Sequence, residues 1–306
     1  MPLVSIIMNV RNGARTLQEA IASVLAQTWS DWELIVWDDR STDGSAAIVS
    51  QFHDARISYF LSPDDASLGK ARRDAIAHAT GEWIAFLDQD DIWLPQKLER
   101  QLALAADDVG LIYGRTVRFY PGGLQRDYDQ AHEYRALPEG DIFAQLFDDS
   151  CFIAMSSAMF RRSAVEAVGG IPGEVRIIPD YYLYVAVARR YRARAVQEVV
   201  CRYRMHSDSM SHRAATEMHQ EALWLIDRWA AELDPRIVAI SRRRHFTAIA
   251  LEEMRHSTTL GQGVVRLLRE GSVASQLVRP FAFIFHLARR SIWPPCWQRL
   301  NDKSTV

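Results

Sequence analysis

Cysteine is scarce in this sequence, and long apolar runs are missing from it. The three cysteines, Cys151, Cys201 and Cys296, lie far apart and form no Cys-x-x-Cys pair. A disulfide framework and a cysteine zinc site are therefore not expected, and a reducing cytoplasm suits this usage. No stretch reaches the roughly 18 apolar residues of a transmembrane helix, and the start lacks the basic segment and cleavage site of a signal peptide. We expect a cytoplasmic protein without a membrane span.

Charge of one sign is not in excess either. The chain has 36 basic and 38 acidic residues, a net charge of −2, so no overall field attracts nucleic acid. Residues 236–306 nevertheless carry 12 basic and 4 acidic side chains, so a basic tail follows an acidic body. This distribution predicts an anionic partner surface for the tail alone. With 306 residues, 48% of them hydrophobic, the chain can form one large domain or two moderate ones.

Strand and helix patterns alternate through the first hundred residues. Apolar runs at Val4–Val10, Trp32–Asp38, Ile57–Leu61 and 83–87 predict four strands, with helical periodicity between them. At this spacing the strands pair in parallel through right-handed crossovers, which predicts a doubly wound α/β layer. Such sheets bind ligands at the carboxyl ends of their strands, so the residues found there are candidates for function.

The pattern changes after the first hundred residues. Further strands are predicted at 109–114, 115–120, 153–160 and 195–203. One helix is predicted at 181–191, and the chain becomes mostly helical from about residue 213. This change predicts a second half that differs in organisation from the first.

Acidic residues cluster where two of the early strands end. Three lie within residues 38–43, and Asp88, Asp90 and Asp91 follow the fourth strand. Carboxylates this close repel one another in a partly desolvated pocket, and a divalent cation that prefers oxygen ligands, Mg²⁺ or Mn²⁺, relieves the repulsion. The alternative is that these are solvated loops whose side chains cap the helices that follow.

Four segments of the first half, in order, resemble the motifs of inverting glycosyltransferase family 2, whose members have the GT-A fold. Residues 4–13 resemble its first strand and turn, and residues 37–45 (Trp-Asp-Asp-Arg-Ser-Thr-Asp-Gly-Ser) resemble its "DDGSTDGS" signature. Residues 69–73 resemble its "GxxxARN" helix. Residues 81–91 resemble "GEYIAFLDADD", with the DxD metal motif at Asp88 and Asp90. The resemblance is strongest over residues 3–102, weaker to residue 212 and absent afterwards.

The resemblance implies a GT-A fold, a mixed and mainly parallel sheet flanked by helices with a helical C-terminal extension. It divides the chain into a nucleotide-sugar-binding half (1–105), an acceptor-binding half (106–212) and the extension (213–306). The implied function is inverting transfer of a sugar from a UDP or dTDP sugar to an acceptor hydroxyl. A saccharide or lipid-linked saccharide in surface polysaccharide or glycolipid assembly is the implied acceptor, which places the enzyme in the cytoplasm or at the inner membrane face.

Roles for five residues of the first half follow from the family motifs. Asp39 is expected to accept a hydrogen bond from the base, and Asn9 to pack on the same base. Arg72 is expected near the base or diphosphate, and Asp88 at the ribose or donor sugar. Asp90 is expected to ligate Mn²⁺ or Mg²⁺, which stabilises the charge that builds on the leaving diphosphate.

Positive charge near the diphosphate is a second expectation. Arg11 stands where family members often have an aromatic residue, and Arg73 where they often have asparagine. Residues 203–211 resemble the "YRxHxxxxS" segment of bacterial members, which implies that Arg204 and His206 contact the donor diphosphate. The alternative for His206 is a structural or solvated position at the edge of a loop.

The general base is expected in the second half. The family's Glu-Asp pair before a helix appears here as Pro179-Asp180, so Asp180 matches the base position. The alternative is that Asp180 only caps the helix that follows.

Two other functions remain open. A nucleotidyltransferase shares the sheet and the metal carboxylates, but residues 9–13 lack the Gly-rich basic phosphate loop that such an enzyme carries after its first strand. A catalytically inactive nucleotide-sugar-binding or scaffold protein is the other, because Pro179 replaces the first acidic residue of the family pair.

The tail contains one further candidate. Residues 277–293 carry three phenylalanines, a tryptophan and three arginines. Aromatic and basic residues in a short helix can contact an anionic membrane surface, but they equally suit a dimer contact or packing against the body, and we favour packing.

Overall fold

The computed structural model describes residues 3–120, 128–129, 136–148, 151–206 and 214–256. The segment 277–293, predicted to contact a membrane, a second copy or the body, lies outside these residues. The chain divides into two compact units, Met1–His245 and Phe246–Val306. Within the described part of the chain, no helix is long and apolar enough to cross a membrane.

The described strands form one mixed sheet in the order β3-β2-β1-β4-β8-β6-β9-β5, with β7 beside β6. Pairing is parallel among the first four strands and between β6 and β9, and antiparallel where β8 meets β4 and β6. The strands are β1 (Val4–Val10), β2 (Trp32–Asp38), β3 (Ile57–Leu61), β4 (Trp83–Phe86), β5 (Ile92–Trp93), β6 (Val109–Phe119), β7 (Tyr128–Asp129), β8 (Met159–Arg161) and β9 (Arg192–Arg204).

Helices lie between the strands and also follow the last described strand, and side chains of helices pack into the cores on both faces of the sheet. They are α1 (Leu17–Leu25), α2 (Ser45–Val49), α3 (Leu68–Ile76), α4 (Lys97–Leu102), α5 (Phe143–Asp148), α6 (Arg162–Ala167), α7 (Pro179–Ala188), α8 (Ala215–Trp229) and α9 (Pro235–His256). Proline occupies the first turn of α7, where its missing N–H costs nothing and its fixed φ suits a helix start.

Alternating side chains of the central strands enter two separate cores. In β1, Ile7 packs into one core, and Ile6 and Met8 pack into the other. Burial on both faces explains why these strands appear in the sequence as continuous apolar runs. The two cores hold the sheet rigid, so the polar residues that follow each strand are held at a fixed edge.

Two predicted strands differ from the structure. The two strands predicted at 109–114 and 115–120 form one strand, β6 (Val109–Phe119), whose register against β9 is irregular at the predicted break after Gly114. Residues 153–160 are not a strand throughout: Met155–Ser157 form a 3₁₀ turn, and β8 begins only at Met159. That turn brings Ser156 to the strand ends described below.

Candidate active site

The carboxyl ends of β1, β2 and β4 meet at one edge of the sheet. The parallel register pairs Val10 with Asp38 and Ile7 with Phe86. The backbone continues this pairing beyond the strands, since the Asp39 N–H donates to the Val10 carbonyl at 2.8 Å. The polar segments after all three strands are therefore brought together, as the sequence predicts.

The two aspartates at the end of β2 have different surroundings. Asp38 is buried and accepts hydrogen bonds from the Ser41 N–H and the Tyr59 hydroxyl, both at 2.7 Å. Burial, together with this carboxylate, raises the pKa of Tyr59 to about 12. Asp38 therefore stabilises the turn, and Asp39 is left as the member of the pair that can contact a ligand.

Asp39 lies in a small polar pocket with Arg11. Its carboxylate accepts from Arg11 Nη1 at 2.9 Å and from the Ala66 N–H at 3.2 Å. The same Arg11 nitrogen also pairs with Asp65, and the two carboxylates, Asp65 foremost, raise the pKa of the guanidinium. Half of the Arg11 side chain is exposed. The pair offers a ligand one acceptor and one set of donors side by side.

Among the predicted site residues, two have a buried donor without a hydrogen-bond partner within the described part of the chain. These donors are Asn9 Nδ2 and Arg72 Nη1. A buried donor without a partner costs free energy, and such groups are commonly satisfied by a ligand. Both residues were expected to contact the donor substrate, and an acceptor-rich ligand such as a nucleoside diphosphate suits them.

Arg72 links the two halves of the site. It is only 3% exposed, and its Nη2 donates to Asp88 Oδ1 at 2.8 Å. Asp180, at the start of α7, lies close enough for its charge to stabilise the Arg72 guanidinium. The structure therefore brings Asp180, from the second half of the chain, to the sheet edge that holds Asp88.

Burial raises the pKa of Asp180, an effect that the Arg72 charge opposes. A carboxylate with a raised pKa is a stronger base than one in water, which suits a group that must remove a proton at neutral pH. Its Oδ1 also accepts from the Tyr181 N–H at 2.9 Å, which orients the side chain. Asp180 therefore both accepts a hydrogen bond at the start of α7 and lies near Arg72 of the candidate site.

Asp90 and His206 lie together. Their Oδ2 and Nε2 atoms are 2.7 Å apart, and burial together with the Asp88 charge raises the pKa of Asp90. Arg204 donates through Nε to the Asp90 carbonyl at 2.7 Å and pairs with Glu19. In this arrangement Arg204 ties the end of β9 to the Asp90 turn, and His206 is the residue of the two that faces the Asp90 carboxylate.

The side chains that could ligate a divalent cation are too few on their own and would need ligands from a substrate. Within the described residues, no three His, Cys, Asp or Glu side chains lie close enough to hold an ion on their own. Asp90 and His206 supply adjoining oxygen and nitrogen atoms. Mg²⁺-type sites commonly use one or two carboxylates and complete the shell with substrate phosphates and water. The residues therefore fit an ion that binds together with a diphosphate.

A model of the family described as "Glycosyl transferase family 2" matches residues 5–169, more than half of the chain. The chain belongs to this family. The match covers β1 to α6 and includes the segments of Asn9, Asp39, Arg72, Asp88 and Asp90. The family predicted from the motifs is thereby confirmed.

Curated relatives of this family 2 chain include bacterial glycosyltransferases. An uncharacterized glycosyltransferase of Nostoc sp. is 33% identical over 229 residues, which are 72% of this chain and 70% of the relative. The Escherichia coli protein WfgD, described as a UDP-Glc:α-D-GlcNAc-diphosphoundecaprenol β-1,3-glucosyltransferase, is 42% identical over 113 residues, or 37% of this chain and 45% of WfgD.

Solved structures confirm the predicted GT-A fold. Residues 1–349 of Staphylococcus aureus TarS in complex with UDP-GlcNAc superpose with a TM-score of 0.68 at 16% identity, covering 87% of this chain and 80% of that one. Pyrobaculum calidifontis PcManGT with GDP-Man and Mn²⁺ gives a TM-score of 0.60 at 20% identity, covering 96% and 81%. At these identities the likeness establishes the architecture of this family 2 enzyme.

The sequence predicted Asp91 only as a member of the acidic cluster after β4 and gave no role to Ser156, although both support the family 2 site. Asp91 is fully buried and accepts from the Arg204 N–H at 2.9 Å and from the Ser156 hydroxyl. The Ser156 hydroxyl accepts in turn from the Asp88 N–H at 3.1 Å. These bonds hold the turn of Asp88 and Asp90 against the end of β9. The third carboxyl residue in the run at 88–91 was the available signal for Asp91.

Proposed function

We propose that this family 2 glycosyltransferase transfers a sugar with inversion from a UDP sugar to a hydroxyl of a lipid-linked saccharide. The observation that carries the proposal is the position of Asp180 against Arg72 and Asp88 at the sheet edge. A carboxylate of the second half close to the residues expected to hold the donor supports the proposal. The halves 1–105 and 106–212 would bind donor and acceptor, respectively.

In the proposed reaction, the acceptor hydroxyl attacks the anomeric carbon on the face opposite the diphosphate. Asp180 takes the hydroxyl proton as the new carbon–oxygen bond forms and the bond to the diphosphate oxygen breaks. Burial, which raises the pKa of Asp180, makes this transfer more favourable than it would be to a carboxylate in water. Arg72 holds Asp88 and balances the negative charge around the base.

Donor binding is assigned to the residues of the β1, β2 and β4 ends. Asp39 would accept from the N3–H of uracil, and Arg11 would donate to a neighbouring base carbonyl. The buried Asn9 Nδ2 would find its acceptor on the nucleotide. A Mn²⁺ or Mg²⁺ ion at Asp90 and His206 would neutralise charge on the leaving diphosphate.

The substrate classes are supported by relatives. WfgD and WfaP of Escherichia coli are both described as UDP-Glc:α-D-GlcNAc-diphosphoundecaprenol β-1,3-glucosyltransferases, and WfaP is 29% identical over 72% of this chain and 85% of its own length. These names favour a UDP sugar and a diphospholipid-linked acceptor, and therefore a site of action near a membrane. Contact of residues 277–293 with a membrane or a second copy stays a sequence-based prediction, tested by liposome flotation and light scattering.

The experiment is a donor and acceptor screen. UDP-glucose, UDP-GlcNAc and GDP-mannose are incubated with Mn²⁺ and a synthetic α-GlcNAc-diphospholipid, and products are analysed by mass spectrometry and NMR. We expect transfer from a UDP sugar, with a β linkage formed from the α-linked donor. An α-linked product contradicts inversion. Tight UDP binding without transfer or donor hydrolysis, for any donor, favours the inactive binding protein.

A further inference from the structure

Helix α8, which lies beyond the residues matched by the family model, contacts the segment that leads into the helix of Asp180. The Glu221 carboxylate of α8 accepts hydrogen bonds from three consecutive backbone N–H groups, those of Arg176, Ile177 and Ile178. The four N···O distances lie between 2.9 and 3.1 Å. Pro179 and Asp180 follow directly, so one carboxylate binds the backbone of the three residues that precede Pro179 and the proposed base.

The same segment is held from its other side by α3. The Gly69 N–H donates to the Arg176 carbonyl at 3.0 Å. A Cβ at Gly69 would lie 1.9 Å from the Val175 carbonyl oxygen, so only glycine permits this approach. Gly69 lies one turn before Arg72 on α3. The backbone before Asp180 is therefore fixed between Glu221 and the helix that carries Arg72.

We infer that Glu221 is a positioning residue for Asp180, an inference that rests on the proposed function. Hydrogen bonds to an ionised carboxylate are roughly twice as strong as neutral ones, and such bonds from three successive residues define the path of the backbone. Without these bonds, the segment 176–178 and the start of α7 can shift relative to Arg72 and Asp88. A shift of about 1 Å at a reacting group can cost about a hundredfold in rate.

The test compares Glu221→Gln with Glu217→Gln and Asp180→Asn. The glutamine at 221 keeps the size of the side chain but places an NH₂ group against backbone donors. Glu217 lies one turn earlier on α8 and is exposed, which makes it a matched control. The readouts are kcat and KM with UDP-glucose, Mn²⁺ and synthetic α-GlcNAc-diphospholipid, with folded sites counted by UDP titration.

For Glu221→Gln we expect kcat per UDP-binding site to fall about 10- to 100-fold, with KM for UDP-glucose and UDP affinity within about twofold of wild type. Glu217→Gln is expected to match wild type. Glu221→Asp keeps the charge on a shorter side chain, so its kcat should lie between those of wild type and Glu221→Gln. This variant also provides the comparison if Glu221→Gln does not fold.

Two results would overturn the inference. In the first, Glu221→Gln and Glu221→Asp both have a normal kcat per UDP-binding site, whereas Asp180→Asn is inactive. This result would refute the positioning role of Glu221 but not the role of Asp180 as the base. The other is a loss of activity that only follows the loss of UDP-binding sites, which assigns Glu221 to stability alone. Transfer by Asp180→Asn at near wild-type rate is a different failure, because it overturns the proposed function itself.

Discussion

Replacing Lys97 by methionine removes a buried amine from the core beneath the site. The Lys97 side chain is fully buried on α4. Its Nζ donates to Gln101 Oε1 at 2.6 Å and lies 4.0 Å from the centroid of a Trp93 ring. Burial lowers the pKa of Lys97 from 10.5 to about 7, because the charged form loses its hydration. Trp93 in turn donates to the Ser156 carbonyl, so this amine lies directly behind the site.

The sign of the pH dependence follows from proton binding. Between pH 7 and pH 10.5 the unfolded chain holds the Lys97 proton and the folded chain has released it, so the stability contributed by this group rises with pH. One pKa unit corresponds to about 1.4 kcal/mol, so the full shift is worth about 5 kcal/mol. Between pH 7 and pH 9 the expected gain is about 2 kcal/mol, since the group is still half protonated at pH 7.

The assay is urea unfolding of wild type, Lys97→Met and Lys70→Met at pH 6, 7, 8 and 9. The stability of Lys97→Met relative to wild type should fall by about 2 kcal/mol between pH 7 and pH 9, because only wild type gains stability there. Lys70 is the control: its partner Asp74 raises its pKa, so its charge stays constant over this range. If the free energies of unfolding of wild type and Lys97→Met change with pH in parallel, burial does not depress the pKa of Lys97 and the reasoning fails.

Three further predictions concern the site. Asp39→Ala should weaken UDP binding by about 1.5–3 kcal/mol in calorimetry through loss of a charge-assisted hydrogen bond, and an unchanged affinity would remove Asp39 from base recognition. Asp90→Ala should abolish any gain in UDP affinity from Mn²⁺, and a persistent gain would place the ion elsewhere. Arg72→Gln removes the charge that lowers the pKa of Asp180, so the fall of kcat on the acid side of its pH profile should move to higher pH. An unchanged pH profile of kcat would show that the Arg72 charge does not influence the protonation of the base.

The fold of the first half could be predicted because its signals are local. Strands such as β1 and β2 are buried on both faces, so each appears as an apolar run that ends at the residue where the polar turn begins. The carboxyl-edge rule then brings Asp39 and Asp88 together without any knowledge of side-chain geometry. The site residues followed from motif positions, and their individual roles stay predictions.

What could not be predicted depends on contacts distant in sequence. The 3₁₀ turn at Met155–Ser157 lies in a short apolar run that reads as a strand, and its hydrogen bonds to the turn of Asp88 and Asp91 appear only in the folded chain. Glu221 looks like an ordinary polar residue of an amphipathic helix. Its role emerges only when α8 packs against the segment before Asp180, 43 to 45 residues away in sequence from the atoms it binds.

The most direct measurement is the transfer rate of Asp180→Asn with UDP-glucose, Mn²⁺ and the α-GlcNAc-diphospholipid, beside its UDP affinity and melting temperature. Asparagine keeps the size of the side chain and a carbonyl oxygen for the Tyr181 N–H, so folding and UDP binding should stay close to wild type. Loss of a positioned base should lower the rate about 10²–10⁴-fold. Transfer within a few-fold of wild type, or a fall in stability with normal turnover per folded molecule, would contradict Asp180 as the base.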